Sequence, residues 1–66
     1  MIRNVVNELR TKSGWTQEEL ANRLNVTRQT IISLERNRYV PSLEMGFKVA
    51  KAFRKTIEEV FSHSEK

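Results

Sequence analysis

The stretch that decides the fold runs from Thr16 to Arg36 and reads TQEELANRLNVTRQTIISLER. Thr16 has the side chain of a helix N-cap. Glu19, three residues on, supplies its capping-box partner, so two otherwise unsatisfied N–H groups are met reciprocally. Leu20, Ala21 and Leu24 then fall on one helical face. Asn25 ends this helix, because Asn tolerates the left-handed conformation that a tight turn requires. Thr27 caps a second helix in which Ile31 and Leu34 share a face. Only Asn25 and Val26 remain to join the two. Helices joined so briefly cannot lie antiparallel; they must cross steeply, which is helix-turn-helix geometry. The small Ala21 stands where the pair would touch most closely. Leu20, Leu24, Val26, Ile31 and Leu34 supply the apolar surface that packs the pair on the rest of the domain.

A helical wheel separates the faces of the second of these helices. At about 100° per residue, Thr27, Ile31 and Leu34 point one way. Arg28, Gln29, Ile32, Ser33 and Arg36 point the other. Those outward side chains suit the major groove of duplex DNA: Gln pairs bidentately with adenine, Arg with guanine, and an apolar group such as Ile32 meets a thymine methyl. The competing reading of this face is an ordinary solvated surface. Charge favours the first. Residues 1–22 sum to zero, residues 23–38 to +3 and residues 39–66 to +1, so the positive excess surrounds the helix that would meet a polyanion.

Outward from this pair the chain continues as helices and stops. Val5, Val6 and Leu9 predict a first helix from about Asn4 to Lys12, ended by Ser13-Gly14. Asn37 to Pro41 is a loop, since Pro41 disfavours a helical Val40. Ser42 caps a helix from Leu43 to about Phe53. Thr56 caps a short last one from Ile57 to about Phe61, with Glu58 and Glu59 near its positive end. The tail SHSEK reads as polar and frayed, and Met1 to Arg3 as a segment able to form an extended edge. The expectation is one all-α domain over residues 1–66, a compact five-helix bundle with at most a short extended N-terminus.

Composition narrows the function. The chain has 66 residues, 12 Lys and Arg against 8 acids (all Glu), a net charge of +4, two Gly, one His and no Cys. So small a domain buries only about 60% of its unfolded surface and leans on tight helix packing or on oligomerisation. Without Cys there are no disulfides or thiolate metal sites, which fits a reducing cytoplasmic setting. His63, alone in a polar tail, builds neither a zinc site nor a catalytic triad. Gly14 and Gly46 are too far apart for a phosphate-binding loop. No apolar run approaches the roughly 18 residues that span a bilayer. The expectation is therefore no enzyme, metal, cofactor, small-molecule ligand or membrane partner.

The segment GWTQEELANRLNVTRQTIISLERNRYVPSLE, Gly14 to Glu44, closely resembles the phage-repressor and Cro class of helix-turn-helix regulators, the XRE family. WTQEELANRL is similar to that family's first motif helix, NVTRQTIISLE to its turn and recognition helix, YVPSLE to the following loop and cap, and IEEVF to its last helix. The resemblance implies a lambda-repressor-like bundle with the third helix in the major groove. It implies base reading by Arg28, Gln29 and Ser33, beside the exposed Ile32. It implies backbone contacts from Gln17 and Thr27, at helix starts whose free N–H groups favour anions. Asn37, Arg38 and Ser42 join them from the next loop and cap, and Arg36, standing where Asn is frequent, adds another. It implies a largely buried salt bridge between Arg10 and Glu35, whose rupture costs roughly 3–5 kcal/mol. Several residues depart from the family pattern. Asn25 and Asn37 stand where Gly is common, and both can adopt the left-handed conformation. Arg54-Lys55 replaces a Gly-apolar pair, which leaves the turn after the fourth helix open. Trp15 is larger than the usual Leu and is expected to fill core between the first two helices. Gly46, costing roughly 1 kcal/mol against Ala inside a helix, predicts a close backbone approach.

The fourth helix has two apolar sides. Leu43, Phe47, Ala50 and Phe53 share one; Met45, Val49 and Ala52 lie on the other. Either the small bundle wraps both, or Met45, Val49 and Ala52, joined by Ile57, Val60 and Phe61, form a homodimer surface; size and the family's two-fold operators favour the dimer. The reading is a sequence-specific double-stranded DNA-binding regulator, a repressor acting as a homodimer, with no room for a ligand-binding, catalytic or sensor domain. One rival is an antitoxin-like or anti-repressor interaction module on the same fold, whose mark would be an added C-terminal segment where this chain ends soon after Phe61. The other is nucleic-acid binding by charge alone, with a steep salt slope and little sequence preference.

Overall fold

In chain order the elements are β1 (Ile2–Asn4), α1 (Val6–Ser13), α2 (Gln17–Leu24), α3 (Arg28–Glu35), α4 (Leu43–Ala52), α5 (Ile57–Val60) and β2 (Phe61–His63). They come from a computed structural model that describes residues 2–63. Four of the five helices open on a hydroxyl. Thr16, Thr27, Ser42 and Thr56 accept from the N–H of Glu19, Thr30, Met45 and Glu59 at 3.0–3.2 Å. Thr16 and Thr56 form full capping boxes, each donating its own N–H to the glutamate at 2.8 Å. Those N–H groups, foremost among the causes, hold the Glu19 and Glu59 carboxyls below their ordinary value.

Four helices also end alike. The N–H groups of Trp15, Val26, Arg38 and Lys55 reach back to the carbonyls of Arg10, Ala21, Ser33 and Ala50 at 2.9–3.1 Å. Each bond spans a left-handed residue: Gly14 (φ 75°), Asn25 (58°), Asn37 (58°) and Arg54 (56°). This is the Schellman closure, which satisfies carbonyls that the helix leaves orphaned. The turn at Arg54-Lys55 therefore forms without Gly, and α4 stops at Ala52.

The core is one cluster of ten buried residues: Val6 from α1, Leu20, Ala21 and Leu24 from α2, Ile31 and Leu34 from α3, Met45, Val49 and Ala50 from α4, and Val60 from α5. Every helix contributes, and full burial of each large side chain stabilises by about 1.5–3 kcal/mol. Three residues, Asn25 to Thr27, separate α2 from α3.

The fold departs from the all-α expectation at its ends. Asn4 begins no helix. Ile2, Arg3 and Asn4 pair antiparallel with His63, Ser62 and Phe61, and the Val5 N–H extends the ladder to the Val60 carbonyl at 3.0 Å. Phe61 leaves α5 for this strand, and Ser62 and His63 of the expected frayed tail are paired in it. Ser64 to Lys66, like Met1, lie outside the described residues. The sheet satisfies backbone groups that two such short segments would otherwise leave bare.

Two further expectations are corrected. Met45, Val49 and Val60 form no dimer surface, because they are buried in the core; Ala52, Ile57 and Phe61 are half-buried against it. The outward side of α4 is the other one, where Leu43 is 72% and Phe47 52% exposed, next to Val40 at 71%. Gly46 is not forced by a tight approach either: a Cβ there would meet Ile57 Cδ1 at 3.7 Å and Phe61 Cε2 at 3.8 Å, ordinary contacts. Among the described residues, no helix is long and apolar enough to cross a membrane.

Candidate nucleic-acid interface

Helix α3 is anchored on one side and open on the other. Ile31 and Leu34 are fully buried, which fixes its rotation, while Arg28 and Gln29 in its first turn are exposed. Ile32 and Ser33 on the same outward side are half-buried, and Arg36, Asn37 and Arg38 just beyond its end are exposed. The structure thus brings Arg28, Gln29, Ile32 and Ser33 onto one face, continued by Arg36 and the Asn37–Arg38 turn. Arg28 and Gln29 expose donors, and Gln29 an acceptor as well, in a form that matches base edges.

The residues expected to meet the DNA backbone divide. Arg36 and Arg38 are exposed cations. Ser42 accepts the Met45 N–H with its oxygen and keeps its hydroxyl proton to donate. Thr27 caps α3 and shares a hydrogen bond with the Thr30 hydroxyl at 3.0 Å. Gln17 is half-buried and turned inward: its Nε2 donates to Glu35 Oε1 at 3.1 Å, leaving one amide proton for another partner.

That Glu35 carboxylate is the hub behind the interface. Arg10 Nε donates to Oε2 at 2.6 Å and Nη2 to Oε1 at 3.3 Å, with Arg10 14% and Glu35 5% exposed at the side chain. Arg10 Nη1 also donates to the Trp15 carbonyl at 2.8 Å. Asn7 Nδ2 adds a bond to Oε1 at 3.1 Å. Burial pushes the Glu35 carboxyl up, but the donors Arg10, Asn7 and Gln17, together with the Arg10 charge, outweigh it and hold the carboxyl below its ordinary value. Arg10 therefore ties α1 and the α1–α2 turn to the end of α3, facing inward rather than toward a ligand.

Trp15 is half-buried. It stacks on Phe53 with ring centroids 5.4 Å apart, and Arg23 lies over it at 4.0 Å. Arg23 is thus positioned over an aromatic face but keeps its charge, so it adds to the positive excess carried by Arg28, Arg36 and Arg38. Sequence reasoning missed Asn4 and Asn7. Asn7 joins the Glu35 hub, and Asn4 Nδ2 donates to the Leu34 carbonyl at 2.9 Å and to Asn37 Oδ1 at 3.1 Å. The one available signal was a polar Asn next to the apolar pair Val5-Val6.

Comparison with known proteins agrees with this geometry. Residues 6–60 match a family model described as helix-turn-helix. An uncharacterized helix-turn-helix transcriptional regulator of Archaeoglobus fulgidus is 44% identical over 64 residues, covering 97% of this chain and 90% of that protein. One of Methanothermobacter thermautotrophicus is 51% identical over 91% of this chain and 88% of its own length. YgzD of Bacillus subtilis, named likewise, is 45% identical over 91% of each. Among solved structures, one from Bacteroides fragilis superposes with a TM-score of 0.83 over 94% of this chain and 100% of that one, at 24% identity, a likeness of fold. The clp gene regulator ClgR of Corynebacterium glutamicum reaches a TM-score of 0.75 at 28% identity, over 82% of this chain and 57% of that one. With a three-residue turn between α2 and α3, a polar outward face on α3 and a family match across most of its length, the chain belongs to the XRE type of helix-turn-helix transcriptional regulators, a family of DNA-binding proteins and not of enzymes.

Proposed function

We propose that this chain is a sequence-specific double-stranded DNA-binding repressor that acts as a homodimer on a two-fold operator. The observation that carries the reading is the contrast across α3: Ile31 and Leu34 are fully buried while Arg28 and Gln29 stand free. A helix held so firmly meets the major groove as a rigid edge, with Arg28, Gln29, Ile32 and Ser33 toward the bases. Arg36, Asn37, Arg38 and Ser42 follow along the phosphates, and the helix starts at Gln17 and Thr27 offer backbone N–H groups to them. Repression follows from occupying promoter DNA.

The homodimer rests on the exposed side of α4. Leu43 and Phe47 line a groove that also touches Ala50 and Ile57 and has Lys51, Lys55 and Glu58 in its wall, and the exposed Val40 lies three residues before Leu43. A wall of both signs suits a two-fold contact, where the lysines of one copy meet the glutamate of the next. Two copies so joined set their α3 helices in successive major grooves about 34–36 Å apart.

Selection of bound duplexes from a random library tests the proposal. A recovered motif with two-fold symmetry supports it. A single unpaired half-site overturns the dimer, and recovery without enrichment overturns specific recognition in favour of binding by charge alone.

A further inference from the structure

Asn4 lies in β1, opposite Phe61 of β2, thirty-three positions before Asn37 in the turn after α3. Both amide protons and the oxygen of its side chain are engaged. The amide oxygen accepts the Val6 N–H at 3.0 Å, and the nitrogen donates both to the Leu34 carbonyl at 2.9 Å and to Asn37 Oδ1 at 3.1 Å. The orientation of the amide follows from its partners, since only its nitrogen can donate to a carbonyl and only its oxygen can accept from an N–H. Leu34 closes the core side of α3, and Asn37 is the left-handed residue of the turn that follows. One side chain therefore links the start of α1, the end of α3 and the turn carrying Asn37 and Arg38.

We infer that Asn4 is a positioning residue for DNA binding, a clamp by which the terminal strand holds the Asn37–Arg38 turn in the conformation that meets the phosphate backbone. This rests on the DNA-binding reading above. The clamp acts on Asn37 from one side only. With Oδ1 held by Asn4, the Asn37 amide nitrogen is turned away from Asn4 and keeps its protons for an anionic oxygen. The bond to the Leu34 carbonyl adds a tie to the end of α3 beside the backbone closure from the Arg38 N–H to the Ser33 carbonyl. Asn4 itself needs no contact with DNA.

The test uses Asn4→Ser in the full chain. Serine keeps a neutral oxygen for the Val6 N–H, as it does at helix starts, and lacks the amide nitrogen. In the free protein, amide hydrogen exchange at Asn37 and Arg38 should accelerate while the core amides of Leu20 and Ile31 remain protected. On a duplex carrying the motif recovered by selection with the unsubstituted chain, affinity should fall about five- to tenfold. The log–log salt slope should fall by about one as a phosphate contact is lost. Asn4→Ser should also cost less affinity when added to Asn37→Gly than when made alone, because both act on one turn. Unchanged exchange at Asn37 and Arg38, or full affinity and an unchanged salt slope in the serine variant, overturns the clamp. So does an affinity loss that disappears on cooling, which marks partial unfolding rather than positioning. If instead the unsubstituted chain binds every duplex equally weakly, the DNA-specificity reading fails, and the exchange measurement still decides whether Asn4 holds the turn.

Discussion

Arg10 and Glu35, twenty-five residues apart, are joined by two hydrogen bonds, of 2.6 and 3.3 Å, with hardly any of either side chain exposed. The pair links α1 to the last turn of α3, so it fixes how α3 sits on the bundle. Removing the cation leaves a largely buried carboxylate with only the neutral donors Asn7 and Gln17. Arg10→Met should therefore lower unfolding stability by about 3 kcal/mol. The double variant Arg10→Met with Glu35→Leu should recover most of that loss, because a buried pair replaced by apolar side chains is often close to neutral. Urea unfolding of the three chains measures both steps. A single variant as stable as the parent would show that the pair is ornamental.

The same carboxylate gives a pH dependence whose sign is fixed. Glu35 is held below the ordinary value of 4.5 in the folded state, so on acidification the unfolded chain takes up its proton first. Its contribution to stability is complete above the unfolded value and is lost as pH falls through the folded one. Unfolding midpoints should hold steady from neutral pH to about 5 and drop below that range. Glu35→Gln should flatten part of the drop. A parent and a Gln variant with identical acid profiles would assign the acid loss to other carboxylates.

Arg54 is the only one of the four left-handed closing residues that is neither Gly nor Asn. An ordinary side chain in that region costs about 1 kcal/mol or more, a cost Gly avoids. Part of the gain is offset by the greater freedom of Gly in the unfolded chain. Arg54→Gly should raise stability by roughly 0.5–1 kcal/mol, a rise of several degrees in Tm for a domain of this size. A thermal melt that moves down would mean that the Arg54 side chain makes a stabilising contact.

Capping made most of this fold legible. Thr16, Thr27, Ser42 and Thr56 announce four helix starts because a short hydroxyl before an apolar period has one favoured use, and Asn25 and Asn37 announce two of the ends. The sheet was legible only at one edge: Met1 to Arg3 read as able to extend and Ile2 to Asn4 form β1, but Phe61 to His63 are too short to show alternation, and the pairing spans nearly the whole chain. The two sides of α4 were ambiguous for a different reason. Met45–Val49 and Leu43–Phe47 are equally apolar, and only the packing of α4 against α2 and α5 decides which of them is covered. At the interface, the outward face of α3 could be read from its period, whereas the inward turn of Gln17 depends on Glu35, which comes eighteen residues later.

Phe47 tests the proposed pairing of two copies. More than half of its surface is exposed, so Phe47→Ser should cost the fold only about 1 kcal/mol and leave it intact. The proposed interface would lose an aromatic anchor, and truncation of such anchors costs about 2 kcal/mol or more. Sedimentation equilibrium at micromolar concentration should show the parent as a dimer and Phe47→Ser shifted to monomer by tenfold or more in dissociation constant. A monomeric parent would refute the pairing, as would a serine variant that dimerises equally well.

Gln29 and Arg38 separate reading from holding. Gln29 stands exposed in the first turn of α3, where its amide offers a donor and an acceptor side by side. Gln29→Ala should cost about 1–3 kcal/mol on the selected motif and relax the preference at one base pair in each half-site, leaving unrelated duplexes unaffected. Arg38 lies beyond the end of α3, in the turn held by Asn37. Arg38→Ala should weaken binding to every duplex by a similar factor and lower the salt slope by about one. Titrations of both variants against matched and unrelated duplexes at several salt concentrations distinguish the two roles. Equal losses on all duplexes for both variants would mean that α3 contributes charge to the complex and no readout, because a bidentate amide contact cannot be indifferent to the base it faces.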